Sequence, residues 1–357
     1  MIDGGELGKT GGYPANSAST IYLDRRGTLW VASENTVVFL PLGAKKFQST
    51  SIKIRRPWQI VDSPSGTLWM AETQRSVRPI PLPGIRPSSD IEVQVGSTGI
   101  LFDDDGSLWV TSLGDGMRRL PVPDGLAGTK ISEMSNAVEG FTAKDGLTTD
   151  HVICMLKDRE GSIWVGTSAG LDRFRKGTLV PILLPSKFTL KALIPEDNGD
   201  LWVGSMSVGR AVIHENAFKQ ETTTFSTAYG FRDAAGVIWV LGFGLTVNHV
   251  FRLANGRATT FAPMPSGTRP DLLGTVLAED QTGKLWFEGG PRGLYFLKNG
   301  QWAQFEKPPN VPEKMATVTF TDSNAGVWFG FTDNTMMVLD GTNIRVFSLR
   351  MVFRLGP

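Results

Sequence analysis

Apolar residues in this chain come in short runs rather than long stripes. Runs such as Thr20-Ile21-Tyr22-Leu23, Gly99-Ile100-Leu101-Phe102 and Val152 to Leu156 each lead into a polar turn, and the turn into a second run built on tryptophan, as in Ile163-Trp164-Val165-Gly166-Thr167. No segment sustains apolar positions three and four apart, so the pattern predicts strands and no helices. The tryptophan-bearing unit recurs eight times, at Trp30, Trp69, Trp109, Trp164, Trp202, Trp239, Trp286 and Trp328, with separations of 39, 40, 55, 38, 37, 47 and 42 residues. A repeat of this length is one supersecondary unit that cannot bury its own apolar face, so the copies must pack side by side.

Aligned on tryptophan, the repeats share a turn. Gly stands three residues before Trp in seven of eight, with Ala325 in the last. An acid stands six residues before Trp in seven of eight: Asp24, Asp103, Asp158, Glu196, Asp233, Asp280 and Asp322, with Ser63 in the second. A carboxylate accepts backbone N–H groups within a hairpin turn, and Gly supplies the positive φ that closes it. The acids are therefore expected to serve one turn each rather than to converge as metal ligands. A third strand follows a glycine, as in Gly170-Leu171-Asp172-Arg173-Phe174, and a weaker fourth completes the unit, as in Asn343 to Phe347. Four antiparallel strands in about 40 residues describe one blade of a β-propeller.

The expected fold is thus an all-β propeller of eight repeat units, either an eight-bladed ring or a seven-bladed ring plus part of a second. Residues 1–16 read as a tail and 17–357 as propeller repeats. Small residues after Trp (Ala32, Ala71, Gly166, Gly204, Gly330) are expected to let neighbouring blades approach. The long third interval reads as a rim loop from Pro121 to Gly140, and a milder insertion falls around Asn255 to Pro270.

Composition narrows the class. The chain has 357 residues, 41% of them hydrophobic, with Gly 41 and Pro 21, which suits many short strands joined by tight turns. Its 36 basic and 35 acidic residues give a net charge of +1, so no basic field is available for a nucleic-acid backbone. Cys154, the single cysteine, lies in an apolar run and reads as a small buried hydrophobe. No apolar run reaches the ~20 residues of a membrane helix. The N-terminus has neither the basic start nor the apolar stretch of a signal peptide.

The fourth repeat runs from Phe141-Thr142-Ala143-Lys144-Asp145-Gly146-Leu147 through Asp158-Arg159-Glu160-Gly161-Ser162-Ile163-Trp164-Val165-Gly166-Thr167 to Gly170-Leu171-Asp172-Arg173-Phe174. It closely resembles the two-component regulator propeller repeat, which builds the extracytoplasmic sensor part of bacterial hybrid histidine kinases. The resemblance implies a periplasmic sensing role, with a second propeller or a kinase-linked homodimer as possible partners. It does not carry kinase activity to these residues, because no phosphoacceptor-His segment or ATP-binding glycine box occurs. The resemblance suggests a fragment or truncated relative.

No catalytic constellation stands out. His151, His214 and His249 fall in three different repeats without metal-ligand spacing, and there is no nucleophile elbow, His-Glu-x-x-His or phosphate-binding glycine loop. No cofactor or metal is expected. Propellers bind ligands where loops from every blade converge. Loops between second and third strands, and those entering the first strand, share one face, which nominates Arg55, Arg56, Trp58, Glu72, Arg75, His151, Lys191, Arg210 and Arg292 as ligand-binding residues. Trp58 is distinctive: eleven residues before the repeat Trp, the other repeats carry Ser19, Thr98, Ile153, Lys191, Ala228, Thr275 and Thr317. An aromatic platform beside Arg55 and Arg56 suits stacking on a sugar or a planar ring; the plainer alternative is that Trp58 plugs the channel or packs under a loop. The favoured expectation is a non-enzymatic sensor holding a polar or carbohydrate ligand. The alternatives are a lyase-type propeller enzyme with a metal-assisted His/acid site, for which Lys284-Leu285-Trp286-Phe287-Glu288 offers a partial resemblance, and a purely structural interaction ring.

Overall fold

A computed structural model describes residues 18–348, apart from 34, 56, 73–76, 82–96, 122–137, 185–189, 197, 206–209, 215–216, 222–224, 234–235, 245–248, 255–256, 266–276, 290–292, 308, 310–315, 323 and 332–334. The expected N-terminal tail falls outside the described residues. The chain is all-β, and its eight sheets are propeller blades, seven with four strands and one with three among the described residues. In every blade the strands pair antiparallel in chain order. They are called A to D here, A preceding the repeat tryptophan and B carrying it.

Blade 1 comprises β1 (Ala18–Leu23), β2 (Leu29–Ser33), β3 (Thr36–Leu40) and β4 (Gln48–Lys53). Blade 2 comprises β5 (Pro57–Asp62), β6 (Leu68–Glu72) and β7 (Val77–Pro79). Blade 3 comprises β8 (Ser97–Phe102), β9 (Leu108–Ser112), β10 (Met117–Leu120) and β11 (Glu139–Phe141). Blade 4 comprises β12 (Val152–Lys157), β13 (Ile163–Thr167), β14 (Leu171–Arg175) and β15 (Thr178–Ile182). Blade 5 comprises β16 (Leu190–Pro195), β17 (Leu201–Ser205), β18 (Arg210–His214) and β19 (Ala217–Glu221). Blade 6 comprises β20 (Phe225–Arg232), β21 (Ile238–Gly244), β22 (His249–Ala254) and β23 (Arg257–Pro263). Blade 7 comprises β24 (Leu277–Glu279), β25 (Leu285–Glu288), β26 (Leu294–Lys298) and β27 (Gln301–Gln304), and blade 8 β28 (Ala316–Thr321), β29 (Val327–Phe331), β30 (Thr335–Asp340) and β31 (Asn343–Ser348).

Two expectations about insertions need correction. Part of the segment read as a rim loop from Pro121 to Gly140 is strand, since β11 begins at Glu139 and pairs with Met117 to Arg119 of β10. The segment from Asn255 to Pro270 likewise contains β23, the outer strand of blade 6. Outer strands carry weak alternation because both faces are partly exposed, so their sequence resembles loop.

The chain divides into two compact units, residues 1–57 with 267–357, and residues 58–266. In the first, blade 8 packs against blade 7 on one side and blade 1 on the other. Trp328, Met336, Val338 and Phe347 share a core with Ala18, Leu29, Val31, Val38 and Phe47. Phe347 stacks on Trp328 at 5.7 Å, and Phe47 meets Phe347 edge-on at 5.3 Å. Trp286 of blade 7 packs with Val327, Phe329 and Met337 of blade 8. The eighth repeat is therefore a neighbour of the first and not the start of a second propeller. In the second unit, Trp69 packs on Ile100, Leu108 and Val110 of blade 3, Trp109 on Val152, Ile163 and Val165 of blade 4, Trp164 on Leu190, Leu201 and Val203 of blade 5, and Trp202 on Ile238 and Val240 of blade 6. Each of these indoles is a wall of the following blade, worth about 3–5 kcal/mol by typical Trp→Ala costs.

The shared turn explains why each tryptophan comes with an acid. In blade 1 one oxygen of Asp24 accepts the turn N–H groups of Arg26 and Thr28, both at 2.9 Å, while the other accepts Trp30 Nε1–H at 2.8 Å. The same division holds for Asp158 with Trp164 (2.7 Å), Asp233 with Trp239 (2.7 Å), Asp280 with Trp286 (2.8 Å) and Asp322 with Trp328 (2.7 Å). Glu196 also accepts from Trp202. These six acids are structural, as the turn chemistry implies, and in addition they anchor the indole; in blade 3 Asp103 does not, and Trp109 Nε1 has no partner. Gly27, Gly66, Gly106, Gly161, Gly199, Gly236 and Gly283 all have φ between 73° and 85°, and Ala325 takes the same left-handed place at 60°.

The small residues after Trp do let blades approach, but what they accommodate is side chain. A Cβ on Gly166 would lie 2.6 Å from both Cys154 Sγ and Leu190 Cδ2, one on its own strand A and one on the next blade's. A Cβ on Gly330 would lie 2.8 Å from Val318 Cγ1 and from Ala18 Cβ.

Candidate functional site

A blade has two ends. One holds the A–B and C–D turns; the other holds the B–C turn and the entrance to strand A. At the entrance, strand A carries a register irregularity in six blades, between Ala18 and Thr20, Ser97 and Gly99, Val152 and Cys154, Leu190 and Ala192, Thr227 and Tyr229, and Ala316 and Val318. The residue skipped by the ladder is Ser19, Thr98, Ile153, Lys191, Ala228 or Thr317, the position eleven before the repeat tryptophan. Trp58 occupies that position in blade 2. A bulged residue is left out of the ladder and its side chain is re-aimed, which is why bulges recur beside binding sites. Trp58 is 58% exposed, whereas all eight repeat tryptophans are buried. It does not pack beneath a loop.

At the other side of this end, strand B finishes on a buried hydroxyl in four blades: Ser33, Ser112, Thr167 and Ser205. Where bonds are seen, these hydroxyls close the B–C turn. Ser33 Oγ donates to Thr36 O at 3.2 Å, Ser112 Oγ accepts Asp115 N–H at 2.9 Å, and Thr167 Oγ1 accepts Gly170 N–H at 3.0 Å. Blade 2 has Glu72 instead. Its side chain is fully buried and pairs at 2.7 Å with the Arg78 guanidinium on strand C, while Oε2 has no hydrogen-bond partner. A buried ion pair with an unsatisfied oxygen costs stability and is retained only where something else favours it.

Loops at this end of blades 3 and 4 are tied to one another. Gly116 N–H donates to Asp150 O at 3.0 Å, and Ser168 N–H to His151 O at 3.0 Å. Asp172, fully buried on β14, accepts Thr148 N–H at 3.0 Å and Thr148 Oγ1–H at 2.7 Å. Burial pushes the Asp172 carboxyl up, against the hydrogen bonds from Thr148. Leu147 is buried against Trp109 and Phe174. The glycine-leucine pairs in the fourth repeat are thus a brace for the loop that carries His151. Leu113, in the B–C turn of blade 3, is 58% exposed at the same end.

The nominated residues fare unequally. Trp58, Glu72, Arg210, Lys191 and His151 belong to the second unit, and Arg55 to the first. His151 and Arg55 are exposed. Lys191 and Arg210 are placed in β16 and β18, and only their backbones are described; Arg56, Arg75 and Arg292 lie outside the described residues. Arg78 and Leu113 stand at the same end beyond the nominated set: Arg78 carries a sequence signal, a base six residues after an acid that closes strand B, and Leu113 carries none, because an isolated loop leucine has no pattern.

The histidines are separate. His214 Nδ1 lies 2.5 Å from Asp200 Oδ1, but at the A–B turn end of blade 5 and 66% exposed. His249 opens β22, with its ring 5.8 Å from Phe251 and its Nδ1 buried without a partner. Among the described residues no three His, Cys, Asp or Glu side chains group closely enough to hold a metal ion. Also among them, no helix is long and apolar enough to cross a membrane.

Comparisons with known proteins agree with the repeat. The two-component regulator propeller model matches residues 12–35 and 146–169. No curated protein matches the chain. Among solved structures, virginiamycin B lyase from Staphylococcus aureus is similar at 14% identity over 94% of this chain and 96% of that one, with a TM-score of 0.54. The extracellular domain of a B. thetaiotaomicron system is similar in two structures. One is described as one-component, at 15% identity over 93% of this chain and 52% of that one, with a TM-score of 0.52. The other is described as hybrid two-component, at 14% identity over 92% and 51%, with a TM-score of 0.50. The chain spans about half the length of these extracellular domains. At such identities the likeness concerns the propeller fold alone.

Proposed function

We infer that this chain, which carries two-component regulator propeller repeats, is a non-enzymatic sensor propeller of a bacterial two-component system. In this reading it works outside the cytoplasm and binds a polar ligand, a carbohydrate being the best fit. The observation that carries the ligand role is Trp58, a large aromatic 58% exposed at the strand-A position that bulges in six other blades, where the other repeats have smaller or aliphatic side chains. A sugar ring stacks on an indole face through its C–H groups, and exposed polar side chains at the same end of the blades, such as His151, would select its hydroxyls. The bonded loops of blades 3 and 4 favour a preformed surface over one ordered on binding. The output would come from a part of the system beyond these residues, with binding shifting how this propeller docks against a second propeller or a homodimer partner.

The lyase alternative requires a histidine and an acid meeting at the ligand end. The His214–Asp200 pair lies at the A–B turn end of its blade, so the geometry favours the sensor.

Thermal unfolding of the intact chain with a panel of glycans tests the reading. A ligand present at 100 times its Kd adds about 2.7 kcal/mol to stability. The shift is expected to vanish in Trp58→Ala, whose unliganded stability changes by less than about 1 kcal/mol because the side chain is largely in water. Equal stabilisation of both proteins, or no response to any glycan, would overturn the proposal.

A further inference from the structure

Charge in this molecule is unevenly distributed. Over residues 18–57, blade 1 and its exit, there are seven Lys and Arg against Asp24 and Glu34, a net +5; with +1 for the whole chain, everything else carries −4. Asp24 offers no counter-charge at the surface, because it is buried and both its oxygens are committed to its turn and to Trp30. Four of the cations stand at the A–B and C–D turn end of the blade: Arg25 and Arg26 in the first turn, Lys45 and Lys46 in the second, all exposed. Arg26, Lys45 and Lys46 have no ion-pair partner among the described residues, while Lys53 and Arg55 lie at the opposite end.

The two turns are one surface. Gly27, which closes the first, lies against Leu42 of the second, where an added Cβ would be 3.3 Å from Leu42 Cδ2. A bond from Ala44 N–H to Pro41 O at 2.9 Å fixes the second turn. Leu42, at its tip, is 65% exposed. On the adjoining blade 8, Asp322 is committed to its own turn and to Trp328, and Asp340 is exposed.

We propose that this end of blade 1 docks on an anionic lipid bilayer, Arg26, Lys45 and Lys46 lying against headgroup phosphates and Leu42 entering the interface. A purely polar polyanion would be matched by the charges but would leave the exposed Leu42 in water. A bilayer rewards both features. A basic residue near an anionic leaflet strengthens partition by about fivefold, so these three amount to about 10²-fold. The remainder of the chain, at net −4, is not drawn to an anionic surface, so this one patch sets the orientation.

Cosedimentation of the intact chain with phosphatidylglycerol/phosphatidylcholine vesicles, and with phosphatidylcholine alone, tests it. Binding is expected on the anionic vesicles only, and to be lost at high salt. The triple variant Arg26→Gln, Lys45→Gln, Lys46→Gln should weaken it by about 10²-fold, and Leu42→Ser should weaken it severalfold. Both variants alter exposed side chains, and unchanged thermal melts will show that they fold. Binding that ignores the triple variant, or no anionic preference, overturns the proposal. So does equally salt-sensitive binding to a polyglutamate chain that Leu42→Ser leaves untouched, which would assign the patch to an acidic macromolecule.

Discussion

Replacing Asp280 by alanine isolates the device that recurs through these blades. Its carboxylate accepts Thr282 N–H at 2.8 Å and Lys284 N–H at 3.1 Å on one oxygen, and Trp286 Nε1–H at 2.8 Å on the other. Trp286 is 6% exposed, so water cannot replace the lost acceptor. An indole N–H stranded in the core costs about 1–3 kcal/mol, and the loss of the turn bonds adds about 1 kcal/mol, giving about 2–4 kcal/mol in all. Asp280→Asn retains a single acceptor oxygen, which can serve the turn or the indole but not both, so about half that loss is expected. Burial works against the charged form of Asp280, but hydrogen bonds from Thr282, Trp286 and Lys284 prevail and hold its carboxyl below the usual range. With the folded pKa below the unfolded value of about 3.9, the stabilisation is complete above that pH and is lost as pH falls through the folded pKa. The penalty of Asp280→Asn should therefore shrink in acid.

Blade 3 supplies the control. Its acid, Asp103, is drawn to Lys157 of the next blade at 3.1 Å, Trp109 Nε1 has no partner, and Asp105 caps the turn through Ser107 N–H at 2.8 Å. Asp103→Ala removes a partly exposed ion pair and should cost less than about 1 kcal/mol. Guanidinium unfolding followed by tryptophan fluorescence measures both, with hydrogen exchange in β25 and β26 reporting blade 7 directly, since a repeat protein with two compact units need not unfold in one step. Equal losses from Asp280→Ala and Asp103→Ala, or a penalty independent of pH, would refute the role given to the acid.

Two further outcomes follow from packing and backbone. Gly166→Ala places a methyl 2.6 Å from Cys154 Sγ and Leu190 Cδ2 and should destabilise by about 1–3 kcal/mol, with Cys154→Gly in the same chain recovering part of the loss in denaturant titration. Ala325→Gly relieves a left-handed alanine at φ 60° and should raise the melting midpoint, the gain limited to about 1 kcal/mol by the extra freedom of the unfolded chain.

How much was legible follows from the range of each interaction. Asp24 and Trp30 are six residues apart and meet across a single hairpin, so the turn, the buried indole and the structural role of the acid can all be read locally. Strands A to C could be read for the same reason. The outer strands β11 and β23 read partly as loop in the sequence, because they pair on one edge only and carry little apolar pattern. The exposure of Trp58 could be guessed only from its odd place in the alignment; the bulge that re-aims such positions is a ladder feature that sequence spacing does not reveal.

The sequence alone determined that there are eight repeat units and that each needs a neighbour, because tryptophan and its acid are spaced to build a half-buried sheet. Three-dimensional packing decided which neighbour each blade has. Phe47 and Trp328 lie at opposite ends of the sequence, yet share one core, and Asp103 abandons its own tryptophan for a lysine on another blade. Contacts of that kind depend on where whole sheets come to rest, and local pattern holds no record of it.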